Sequence, residues 1–123
     1  MNKLTLGVIA ACLVARPVAA ESVFTVAGPL TLVPLDVATV TTGGTAVVAL
    51  AAAHRNKGGW LHNPAVATVN LCINEIGTAT GTTSAGNTTC IVPGQTYRLA
   101  ASPNAVSVVA SDAAHAFSGY GWN

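Results

Sequence analysis

The sequence predicts an all-β fold, an antiparallel β-sandwich or small barrel of about seven or eight short strands held by one disulfide. Apolar residues alternate with period two in short runs, and Gly, Pro, Asn and Ser separate those runs. No mature segment carries an amphipathic-helix period, and two cysteines remain for a covalent staple once the leader is set aside.

Taken in order, the expected strands are SVFTVA (22–27), VATVT (37–41), TAVVALA (45–51) and GWLHN (59–63), then VATVNLCIN (66–74), TCIV (89–92), QTYRLA (95–100) and AVSVVAS (105–111). VATVNLCIN is the plainest: Ala67, Val69, Leu71 and Ile73 share one face, and Thr68, Asn70 and Cys72 the other. Thr42-Gly43-Gly44 marks a hairpin, because glycine accepts the positive φ that tight hairpin turns need. Pro93-Gly94 and Ser102-Pro103-Asn104 mark later turns. The alanines of TAVVALAAAHR also suit a helix, but its valines and the preceding turn favour a strand. GTATGTTSAGNTT (77–89) is low in complexity and is expected to be an exposed, mobile hairpin tip. Within it, Asn87-Thr88-Thr89 formally matches a glycosylation acceptor.

Residues 1–20, MNKLTLGVIAACLVARPVAA, have the form of a secretory signal peptide: basic at Lys3, apolar from Leu4 to Ala15, small at Val18-Ala19-Ala20. The apolar stretch is too short for a bilayer span and Arg16-Pro17 interrupts it, so no permanent membrane anchor is expected. A lipid attachment at Cys12 is the weaker alternative, since apolar sequence continues past it. Residues 21–123 then form one domain, exported to the periplasm or beyond the cell.

The mature chain keeps Arg55, Lys57 and Arg98 against Glu21, Asp36, Glu75 and Asp112, a net charge of minus one. So few charges exclude capture of nucleic acid or of an anionic membrane as the main task. A disulfide between Cys72 and Cys90 would persist in an oxidising compartment and contribute about 3 kcal/mol by loop closure. Cys90 is out of phase with Ile91, so the bond is expected to join strands or strand ends and not to fill the core.

The chemistry-bearing residues are few. Ser111-Asp112-Ala113-Ala114-His115 contains the residue types of a serine triad without a nucleophile elbow or an oxyanion signature. His54 and His62 lack a third ligand at a diagnostic spacing, and no nucleotide-binding glycine motif occurs, so neither metal nor cofactor is expected. FSGYGWN (117–123) places Phe117, Tyr120 and Trp122 together, either as a contact surface on a glycine-rich tail or as a final strand whose rings cap the fold. In RNKGGWLHNP (55–64), Arg55 to Gly59 reads as a polar turn, Trp60-Leu61 as strand entry and Asn63-Pro64 as its stop. Arg55 and Trp60 are also types that interfaces favour.

This order, a polar turn with Arg, an apolar strand ending in Asn, a strand pair, a Pro-Gly turn and a Val-Ser-Val strand, covers about residues 44–118. It loosely resembles small bacteriophage virion-associated proteins of the head-decoration, fibre or tail-accessory kind. The resemblance implies a non-catalytic β-sandwich that packs against copies of itself or other subunits, with Arg55 anchoring one turn and Pro93-Gly94 shaping another. An export signal and a cysteine pair depart from that pattern, which makes a secreted bacterial relative an equal alternative to a virion part.

The expected function is therefore a non-catalytic exported structural or binding module that acts by protein–protein assembly. The candidate interface residues are Arg55, Trp60, Phe117, Tyr120 and Trp122. Alternatives are a carbohydrate-binding module using Trp60, Tyr120 and Trp122, and a small hydrolase using His54, His62 or His115.

Overall fold

The computed structural model describes residues 29–81 and 84–123; the expected signal segment, Cys12 and the expected strand at 22–27 lie outside them. The described residues are all-β and sandwich-like. Their strands are β1 (Leu32–Pro34), β2 (Thr39–Val40), β3 (Val47–Leu50), β4 (Gly59–His62), β5 (Leu71–Asn74), β6 (Thr88–Ile91), β7 (Thr96–Leu99), β8 (Val106–Val109), β9 (His115–Ala116) and β10 (Ser118–Trp122). One four-stranded sheet runs β1-β10-β4-β7, the other β3-β8-β5-β6, and β2-β9 forms a small third sheet. All pairings are antiparallel. Among the described residues no helix is long and apolar enough to cross a membrane.

The inward residues of both large sheets make the core. Leu61 and Leu99 come from one, Leu50, Leu71, Ile73, Ile91, Val106 and Val108 from the other, and Val40, Ala110 and Phe117 close it. This is the period-two pattern of the sequence turned into packing, and it settles TAVVALA as a strand, with a register shift between Val48 and Leu50.

Cys72 and Cys90 stand directly opposite each other in β5 and β6 and are disulfide-bonded. The bond thus joins adjacent strands on the outer face of their sheet, packed with Ala79 and Val109 and apart from the main core, as the phase of Cys90 predicted.

Several expectations need correction. Residues 66–70 do not continue β5: Ala67 N donates to Pro64 O, and the buried Asn63 amide donates to Val69 O and Ile91 O, which bends the chain before Leu71. The start of the 77–89 segment is not a projecting tip either. Asn74 Oδ1 accepts from Ile76 N and Gly77 N, Ala79 N donates to Ser107 Oγ, and Ala79 is buried. The apolar outer side of β5 and β8 is covered by this returning chain.

Of the two expectations for the C-terminal segment, the final strand holds and the tail does not; that strand is interior to its sheet. β10 pairs with β1 on one side and β4 on the other. The fastening runs on to the last residue: Asn123 exchanges backbone bonds with Thr31, and its side chain bonds Asn56 N and Ala53 O.

Candidate functional site

Alternation within β10 decides what its rings do. Gly119 and Gly121 point inward, where a side chain on Gly119 would collide with the Trp60 carbonyl and one on Gly121 with the His54 carbonyl. Gly59 on β4 is likewise closed by the Tyr120 carbonyl. At Gly121 the sheet lies tight against the 54–55 backbone, at Gly119 and Gly59 the paired strands β4 and β10 close on each other, and the large side chains at alternate positions stand on the other side. Ser118, Tyr120 and Trp122 face outward from β10, in register with the outward Trp60 and His62 of β4, Thr96 and Arg98 of β7, and Leu32 and Pro34 of β1.

One row crosses all four strands: Pro34, Tyr120, Trp60, Arg98. Trp60 and Tyr120 meet edge to face at 4.9 Å between centroids and 67° between planes; Tyr120 and Trp122 follow at 6.0 Å and 65°. Such edge-to-face contacts hold the rings in fixed orientations and leave each half-exposed. A depression of about 380 Å³ lies on the β4–β7 side, bounded by Gly59, Trp60, Thr96, Arg98 and Trp122. Thr96 Oγ1 is hydrogen-bonded to His62 Nδ1 at 2.9 Å. The face is thus apolar over β1 and β10 and increasingly polar over β4 and β7.

Of the residues expected at an interface, Trp60, Tyr120 and Trp122 come together here, and two do not. Phe117 points the other way and is 3 % exposed in the core. Arg55 is fully buried, so it offers no surface. Its Nη1 donates to Glu75 Oε2 at 2.8 Å and to Ala100 O, Nη2 to Glu75 O at 2.7 Å, and Nε to Asn104 O at 3.1 Å. The planar guanidinium ties the turn before β4 to the chain after β5 and after β7. Sequence reasoning missed Thr96 and Arg98, although the alternation of QTYRLA against buried Leu99 places both outward.

The histidines are each accounted for locally. His54 Nδ1 is 2.9 Å from Asp36 Oδ2, which also accepts from Ala51 N. His115 is buried, with Nε2 donating to Asn63 Oδ1 and Nδ1 against Asp112 Oδ1. Both His115 nitrogens are thereby engaged, and Ser111 is no partner of either. Among the described residues no three His, Cys, Asp or Glu side chains gather as a metal site.

Tyr97, on the inner side of β7, has its phenol pKa raised above the ordinary 10.0, first by burial and then by the neighbouring Glu75 carboxylate. It belongs to the Arg55–Glu75 arrangement and takes no part in the outer face.

Comparison with known proteins returns nothing: no family model matches the chain, and no curated protein or solved structure matches it either.

Proposed function

We propose that this protein is an exported, non-catalytic binding module that assembles with other protein subunits, further copies of the chain among them, through the apolar β1–β10 half of the aromatic face. The observation that carries the reading is the glycine-in, aromatic-out alternation of β10. Rings placed outward by a strand whose inward positions are bare contribute contact area to a partner and little to their own core. Leu32 on the edge strand β1 and Leu30 just before it, each 59 % exposed, add apolar surface at this side of the face.

The extent of the surface bears on how a partner sits. Four strands about 4.8 Å apart and about four residues long give a face of roughly 250 Å², whereas a stable protein interface buries about 800 Å² per partner. A protein partner therefore runs over β1, whose outer edge is unpaired among the described strands. The disulfide supports export, since such bonds persist in oxidising compartments. The resemblance to virion-associated proteins supports assembly, in a virion or in a secreted relative.

Sedimentation velocity on the disulfide-bonded mature chain tests this reading, with Leu32→Ser/Tyr120→Thr as the comparison. The parent is expected to sediment as a discrete oligomer and the variant as a folded monomer. A parent that is monomeric at all concentrations, alone and with its cell-envelope or virion fraction, would refute assembly through this half.

A further inference from the structure

We infer that the depression between Trp60 and Trp122 is a subsite for a saccharide bearing a carboxylate, such as a uronic or sialic acid. The inference rests on the reading of this face as a binding surface; the subsite shares only Trp122 with the β1–β10 half proposed for assembly. Its walls are two half-exposed indoles, its inner boundary is the bare backbone at Gly59, and its polar side carries Thr96 and Arg98. At about 380 Å³ it has the size of a small-ligand site, of the order of 300 to 1,000 Å³.

The chemistry of the lining is that of sugar recognition. Indole faces pack against the C–H face of a pyranose, and a hydroxyl and a guanidinium reach its ring substituents. Charge decides the class of sugar. The outward residues of the four strands are Leu32, Pro34, Ser118, Tyr120, Trp122, Trp60, His62, Thr96 and Arg98, with no carboxylate among them. Arg98 is exposed and, among the described residues, forms no ion pair. A guanidinium beside the site and unopposed by acid matches a carboxylate through its planar fork, which a neutral sugar would leave unused. Trp60 and Arg98 are direct cross-strand partners, so the stacking wall and the cation are set on one rigid pair of strands.

Isothermal titration of the disulfide-bonded chain with tri-galacturonate, a hyaluronan tetrasaccharide and sialyllactose tests the inference, with the methyl ester of tri-galacturonate as the neutral control. At least one acidic probe is expected to bind, at least tenfold tighter than the ester. Arg98→Gln should remove that preference, and Trp60→Ala should abolish binding while the melting curve stays cooperative. Equal binding of acid and ester, or binding indifferent to Arg98→Gln, would overturn the assignment. Silence with all three probes, alongside assembly that Leu32→Ser/Tyr120→Thr disrupts, would overturn the saccharide while leaving the face as a protein contact. Silence together with assembly indifferent to that variant would remove both.

Discussion

Gly121 rests against the carbonyl of His54 so closely that no side chain fits between them. This contact sets the depth at which β10 lies over the turn holding Arg55, and so fixes which side of the strand carries the rings. Gly121→Ala is expected to lower stability by about 1–3 kcal/mol, as overpacking of a closed site does. Urea unfolding measures it, and an unchanged midpoint would show that the backbone there yields freely.

Arg55 and Glu75 make the next prediction. The guanidinium is buried among carbonyls of three separate segments, so truncation to Ala should cost about 3–5 kcal/mol by leaving Glu75 and those carbonyls unpaired. Arg55→Lys keeps the charge but loses the fork, and should recover only part of that loss. Full recovery in denaturant titrations would mean that charge alone suffices.

Cys72 and Cys90 staple neighbouring strands across a sequence separation of 18 residues. Replacing both by Ala should lower stability by about 3 kcal/mol by the loop-closure estimate. Because the pair packs outside the main core, the variant should keep its native far-ultraviolet circular dichroism at low temperature. Loss of that signal would place the bond in folding itself.

Tyr97 predicts a limit on the alkaline side. Its phenol pKa is raised in the fold, so between the ordinary value of 10.0 and the folded value the unfolded chain has released a proton that the folded chain still holds. Fewer protons on the unfolded state means that stability falls with rising pH in that window, and it is unaffected by this group below it. Tyr97→Phe should flatten the decline above pH 10; an identical decline in the variant would assign it to other groups.

How much of this was legible in the sequence depends on the range of the interaction. β2 to β8 were legible because each lies in a run that alternates locally, although the run at 66–74 was expected as strand five residues too early, and the cysteine pair because only one partner was left. β1 and β9 were not assigned, since LVP and HA are too short to show a period; β10 was one of two readings of the C-terminal segment, because SGYGW has glycine where a core residue would announce a strand. Arg55 misled as an interface residue because its partners, Glu75, Ala100 and Asn104, lie 20 to 49 residues away. Phe117 misled by standing beside exposed rings, although one residue along a strand reverses the face. With β10 interior to its sheet, a chain truncated before residue 117 should fail to fold.

The most direct test of the account compares two neighbours, Trp60 and Leu61, which point to opposite faces of β4. Urea unfolding of Leu61→Ala should show a loss of about 2–5 kcal/mol, as for a buried leucine. Trp60→Thr should lose about 1 kcal/mol, the order of an aromatic pair contact at a half-exposed site. That difference would place the stability of the fold on the inward residues and free the aromatic face for binding. If Trp60→Thr costs as much as Leu61→Ala, the rings are structural, and the account of this face as the working surface is wrong.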